Sequence, residues 1–378
     1  MKLINEISPD QFFRDVSAAK TCVLLNSRQS RRPSARDNWV QATETTVHSL
    51  KDENYLFLTS IGQNTWELVL HLVNRLGYRQ IIVVPQQLDE YGFSSPAELM
   101  SSFRLSPDRA QLFRLDSVDA ETWPNRRDEF LAAHARVLVP ISLRPDGNLA
   151  KLVARRPACV NDSFRAGYCK SVDSVHYDWR SMTFSRELSG EWDYLTHWTR
   201  SAQGPLLGQD RFSYYDSILK SSTFPGSAFH ALLHILEENR IRASNRFIRG
   251  AYPVVSLTAL RPPDALPLMR WRRRYGYYSF EPYGIAFRKV IAGSFGCREV
   301  RYGTIDEFKQ MPEVDRPFFQ NAGSEVADWR PEAEWRSLGD IDLNQIPVES
   351  VRVLAFRPDE ACILRKICPY QVLSVCKD

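Results

Sequence analysis

Residues 55–85 read YLFLTSIGQNTWELVLHLVNRLGYRQIIVVP. Apolar runs at 55–59 and 80–85 enclose a stretch in which Leu68, Val69, Leu72, Val73 and Leu76 recur at helical spacing, closed by Gly77 as a C-cap. Strand, helix and strand within about thirty residues is the signature of a parallel βαβ unit. Two further runs, TCVLL at 21–25 and RVLVPIS at 136–142, extend the alternation. The Arg-Pro-Asp-Gly turn at 144–147 predicts a hairpin that appends an antiparallel edge.

From about 155 to 190 neither period is sustained, and this stretch reads as a boundary. Beyond Glu191 one helix, AFHALLHILEE at 228–238, mixes with short strands: YPVVSLTA, YGIAFRKVI, REVRYG and SVRVLAFR. The expected fold class is therefore α/β, a Rossmann-like parallel sheet domain (1–160) and a linker (161–190) followed by a second α+β domain (191–378).

A chain of 378 residues exceeds the usual single core. With 43% hydrophobic and 25% charged residues it lies far from the signature of disorder. The 49 basic and 45 acidic residues leave a net charge of +4, too slight for a whole-surface nucleic-acid footprint. Arginines number 39 against 10 lysines, a bias that suits bidentate phosphate contacts and that GC-rich coding also produces. Seven cysteines without a C-x-x-C pair point to neither a zinc site nor a disulfide framework, so no metal is expected. No apolar run is long enough for a membrane helix. The opening MKLINEISPDQFFRDV carries acidic residues where a signal peptide would be apolar, so a cytoplasmic location is expected.

After the strand at 55–59 the chain runs through Ser60, Gly62, Asn64, Thr65 and Glu67 into a helix. A glycine lets backbone N–H groups approach a ligand, and a helix N-terminus favours anions. Ser60, Asn64 and Thr65 add polar groups, and Glu67 either caps the helix or holds a ribose hydroxyl. A plain capped turn fits the same residues. The first strand ends in Asn26, Ser27, Arg28, Gln29, Ser30, Arg31 and Arg32, a basic loop at the sheet edge where ligands bind. Leu25-Asn26-Ser27-Arg28, followed by Ser60-x-Gly62-x-x-Thr65-x-Glu67, resembles the Rossmann-type superfamily joining the DNA-processing SMF proteins to the LOG phosphoribohydrolases. The resemblance implies a nucleotide-binding loop. The chain lacks that family's paired glycines, and Thr65 precedes Glu67 by two residues instead of three.

In the second half, the strand at 193–200 carries His197, Thr199 and Arg200. The strand at 253–259 carries Ser256 and Thr258 on one face, and Glu332 and Glu334 follow at i and i+2. Their types and order resemble the arginine–serine–glutamate class of ADP-ribosyltransferases. The resemblance implies that Arg200 binds the pyrophosphate of NAD, Ser256 and Thr258 position NAD, Glu334 is catalytic and Glu332 contacts the acceptor. His197 is an alternative anchor of the His-Tyr-Glu subclass, but the second strand offers no Tyr. The residues alone also allow Arg200 as a surface charge, Ser256 and Thr258 as a solvated strand face, and a helical Glu332–Arg336 ion pair. Arg270, Arg272, Arg273 and Arg274 with Trp271, Tyr275, Tyr277 and Tyr278 could stack single-stranded bases, and read equally as a basic loop with aromatic anchors. His230 and His234 have metal-ligand spacing but no acidic third ligand nearby.

Three functions follow as expectations. The first is a nucleotide- or NAD-derivative-sensing bacterial effector, an ADP-ribosyltransferase or NAD-cleaving enzyme of stress or phage defence, with NAD or another nucleotide as its ligand. The second is a single-stranded-DNA-binding protein related to the SMF proteins. The third is a non-catalytic nucleotide-binding module, so the residues leave open whether the protein is an enzyme. No membrane partner is expected.

Overall fold

The structure, a computed structural model, describes residues 6–116, 121–169, 175–177, 183–246, 248–273, 277–322 and 330–376. The chain divides into two compact units, Met1–Asp173 with Gln209–Pro225, and Ser174–Gly208 with Gly226–Asp378.

The first unit holds a five-stranded sheet of β1 (Thr21–Asn26), β2 (Leu56–Ser60), β3 (Arg79–Val84), β4 (Ala110–Arg114) and β5 (Val137–Ser142), in the order β4-β3-β2-β1-β5. Every pairing is parallel. Parallel strands covered on both faces must be apolar on both, which is why they read as unbroken runs. Cys22 and Leu24 face one core, beneath α2 (Asn38–Ser49) and α3 (Asn64–Arg75). Val23 and Leu25 face the other, beneath α1 (Pro9–Ala18), α5 (Trp123–His134) and α6 (Asn148–Ala154); α4 (Pro96–Ser102) joins β3 to β4. The chain leaves α3 through Gly77 at φ +74°, the left-handed conformation expected after a helix end.

The turn at 144–147 does not make a hairpin. The Gly147 N–H closes it on the Arg144 carbonyl, and the chain enters α6, whose Leu149, Leu152 and Val153 are spaced for a helix that buries one face. The helix α7 (Arg211–Lys220), which the sequence reading puts in the second domain, belongs to the first unit. The Asp210 side chain caps it, and Tyr214, Tyr215 and Ile218 join the α3 side of the core.

The second unit is built on a seven-stranded sheet. Its strands are β6 (Tyr194–Trp198), β7 (Val254–Thr258), β8 (Gly284–Arg288), β9 (Arg298–Glu299), β10 (Glu334–Leu338), β11 (Val351–Ala355) and β12 (Gln371–Ser374), in the order β9-β10-β7-β6-β8-β11-β12. All pairs are antiparallel except β11 with β12. Leu195, Val255, Leu257, Ile285 and Phe287 turn one face to a core closed by α8 (Ala228–Glu238), through Ala228, Leu232 and Leu236. The opposite face is apolar where Tyr194, Ala286, Leu354 and Leu373 cluster. Across β6, β7 and β10 it turns polar. Among the described residues no helix is long and apolar enough to cross a membrane.

Candidate functional site

In the first unit the chain builds outward from β1 to β4, then returns to the far side of β1 as β5, so the order reverses between β1 and β5. Open parallel sheets form ligand crevices at such a reversal. Here it is stitched by internal bonds. Ser27 Oγ accepts from the Arg144 N–H at 2.9 Å, and Gln29 Nε2 donates to Ser142 Oγ at 3.0 Å. Arg28 is exposed, and its carbonyl accepts from the Tyr168 hydroxyl at 3.3 Å.

The glycine turn has the expected backbone, with Gly62 at φ +90°, but its donors have partners within the chain. The Gly62 N–H donates to Glu67 Oε1 at 3.0 Å. Glu67 Oε2 accepts from Arg211 at 2.8 Å and from the Tyr215 hydroxyl at 2.9 Å. Asn64 Nδ2 donates to the Ser30 carbonyl, and Ser60 Oγ to the Val83 carbonyl. The Tyr91 ring stands 2.7 Å from where a Cβ on Gly62 would lie. Beneath the turn, the buried Arg127 donates to the Ile61 carbonyl at 3.1 Å and is paired with Asp128. Thr65 Oγ1 alone in this group is buried without a partner. The turn therefore does gather an amide around an anion, and that anion is the chain's own Glu67.

Burial, reinforced by the facing Glu67, pushes Tyr215 well above the ordinary phenol range. Glu67→Gln leaves the guanidinium of Arg211 facing a neutral amide in a site that is only 4% exposed on the Glu67 side. The expected loss is about 2 kcal/mol of first-unit stability, measured by denaturant melts of the full chain. An unchanged midpoint would show that the three donors are held by something other than this carboxylate.

The second unit builds a different site. β6 and β7 share one bridge pair, Thr196 with Thr258. Where the ladder stops, His197 Nδ1 lies 2.9 Å from the Ser256 carbonyl. On the other edge of β7, β10 pairs throughout, with Glu334 opposite Thr258 and Arg336 opposite Ser256. Paired residues share a face, so Thr196, Thr258 and Glu334 form one row and Ser256 and Arg336 the next. The cleft lined by these strands measures about 880 Å³, within the roughly 300–1,000 Å³ of small-molecule sites. Arg200, Ser256, Thr258, Glu332 and Glu334 all line it.

Residues 330–336 do not form the helix that would pair Glu332 with Arg336. A short 3-10 turn, Arg330–Glu332, ends at Ala333 with φ +42°, a left-handed residue no helix can cross, and β10 begins at Glu334. The Glu334 carboxylate is gripped at both oxygens by Arg336, at 2.9 and 3.1 Å. Thr258 Oγ1 donates to the Glu332 carbonyl at 2.6 Å. Burial, then the neighbouring Glu334, pushes the Glu332 carboxyl up to about 7, against the pull of Arg272 and Arg270.

The guanidinium of Arg200 lies 5.4 Å from the centre of the Tyr277 ring and that of Arg246 lies 5.9 Å from it. Burial lowers the Arg200 pKa, and Arg246 and Arg272 add like-charge repulsion. Arginines collected in one cleft favour an anionic ligand. Burial also lowers His197, which keeps its ring neutral at neutral pH.

Other expectations separate. Tyr277 and Tyr278 are buried in a two-stranded ladder with Trp271 and Arg272, so they are not exposed for base stacking; Arg274 and Tyr275 lie outside the described residues. His230 packs on the capping Ser227, and His234 Nε2 lies 3.1 Å from the Leu207 carbonyl and 3.5 Å from Glu238 Oε1, so an acidic side chain does stand beside the second histidine, one helical turn on. No metal-holding cluster occurs among the described residues. Sequence reasoning missed Arg127, Arg211, Tyr215 and Arg246; apart from the Arg127–Asp128 pair, the contacts that bring them to these sites are long-range and leave no local signal.

No protein-family model matches the chain, and no curated protein matches it. Among solved structures, a similarity is found to DNA processing protein A from Helicobacter pylori, described for its single-stranded DNA binding mode. It has 11% identity and a TM-score of 0.30, and covers 39% of this chain and 66% of that one.

Proposed function

We propose that the cleft of the second unit binds NAD and cleaves its nicotinamide–ribose bond, passing ADP-ribose to an acceptor or to water. The observation that carries this reading is that Arg200, Ser256, Thr258, Glu332 and Glu334, scattered over 135 positions of sequence, line one cleft from adjacent strands and the turns beside them. Loss of nicotinamide leaves an oxocarbenium-like sugar, and a fixed carboxylate beside it stabilises the developing positive charge. Glu334 is the fixed carboxylate. Arg200, with Arg246 and Arg272 behind it, meets the pyrophosphate, while the Ser256 and Thr258 hydroxyls orient the ribose.

Glu332 then has a distinct task. A carboxyl pushed up to about 7 exchanges its proton near neutral pH, so it suits general-base removal of a proton from the attacking hydroxyl or water. Incubation of the full chain with NAD should release nicotinamide at a rate that climbs as pH rises through about 7, and Glu332→Gln should flatten that climb. The stability effect has the matching sign. A carboxyl raised on folding destabilises the fold progressively as pH rises from its unfolded value to about 7, so Glu332→Gln should melt higher than wild type at pH 8 and equally only below about pH 4. No nicotinamide release at any pH would overturn the proposal.

A further inference from the structure

β6 brings Thr196 and Trp198 to the cleft, and Arg200 lines it just beyond the strand's end. Thr196 is fully buried, and its Oγ1 has no hydrogen-bond partner; Trp198 Nε1 is equally shut from solvent and unpartnered. Each such orphan costs free energy until a partner arrives, and these two stand on one strand at the cleft. Trp198 also stacks on Phe280, with ring centres 6.0 Å apart and planes at 25°. Phe280, Leu260 and Leu268 are among the apolar residues that line the cleft.

The geometry points to a specificity site for the primary carboxamide of the leaving ring. This rests on the reading of the cleft as an NAD site and adds which residues read the nicotinamide. Thr196 lies in the same cross-strand row as Glu334, two strand spacings away, or about 10 Å between backbones. A ring leaving a sugar held at Glu334 spans that interval. Its carboxamide offers an oxygen to the indole N–H and an N–H to the threonine hydroxyl, the complement of the two orphans. The aromatic pair and apolar wall suit the ring itself. Neither orphan is reachable by water in the free chain, so the contact forms with a shift of the half-buried Trp198 ring.

Thr196→Val removes the hydroxyl and keeps the shape, while Trp198→Phe removes the indole N–H together with one ring's volume. Each should raise the KM for NAD and the inhibition constant of nicotinamide about tenfold, the value of one hydrogen bond. Binding of ADP-ribose, which lacks the ring, should stay unchanged. The ligand-free melting temperature of Thr196→Val should hold or rise, since an unpaired buried atom is removed, and a role confined to folding would lower it; Trp198→Phe is read by its binding constants alone. NAD with its carboxamide replaced by an acetyl group should lose affinity for wild type and not for Thr196→Val. If wild type releases nicotinamide but both variants keep wild-type KM and nicotinamide inhibition, the carboxamide assignment falls and the cleft reading stands. If wild type neither binds nor cleaves NAD, both fall.

Discussion

Arg336→Met should lower the stability of the second unit by about 3–5 kcal/mol, the usual result of removing one partner of a buried ion pair. Arg336 is 1% exposed, and all five of its N–H groups are used. Nε and one Nη donate to the two Glu334 oxygens, and that Nη also donates to Gln320 Oε1 at 2.7 Å. The other Nη donates to the carbonyls of Pro317 and Phe319, at 3.0 and 2.8 Å. Methionine fills much of the volume and replaces none of these bonds, leaving a carboxylate, an amide and two carbonyls short of donors. At about 2–4 °C per kcal/mol for a domain of this size, the melting temperature should fall by about 6–20 °C. Lysine should rescue little, because one ammonium cannot reproduce a planar five-donor fork. A fall under about 1 kcal/mol would mean that Glu334 is held by other groups.

The parts of the fold that could be read in advance are those dictated by local chemistry. β1, β2, β3 and β5 announce themselves because burial on both faces demands continuous apolar runs. α3 was legible from its spacing, and its end from Gly77. The turn at 144–147 was visible as a turn, but turn chemistry does not say whether a strand or a helix follows; the helical spacing of Leu149, Leu152 and Val153 held that information. Residues 330–336 misled for a similar reason, since Glu332 and Arg336 have helical spacing and nothing in an alanine signals a left-handed backbone.

The two candidate sites divide along the same line. The residue types of the cleft were legible in three short segments, while their meeting depends on the strand order β10-β7-β6, which no single segment encodes. The glycine turn was legible as an anion seat. That Glu67 turns back on its own turn was one of the readings open in the sequence; that residues 144 and 148 positions further on fasten it there could not be read locally.

Glu334→Gln should reduce nicotinamide release by about 10²–10³-fold or more, the scale set by removing one preorganised charge or donor from a transition state. The amide has the shape of the carboxylate and keeps an oxygen for Arg336, so NAD binding should change little. What disappears is the negative charge next to a sugar that becomes positive only as the bond breaks, so the loss should fall on kcat. Glu332→Gln offers the contrast, because its effect should depend on pH while that of Glu334→Gln should persist across the profile. The melting temperature must be read alongside, since Arg336 loses a full counter-charge in the same variant. A stable Glu334→Gln protein with wild-type turnover would remove Glu334 from the chemistry and leave the bidentate Arg336 pair as a purely structural clamp.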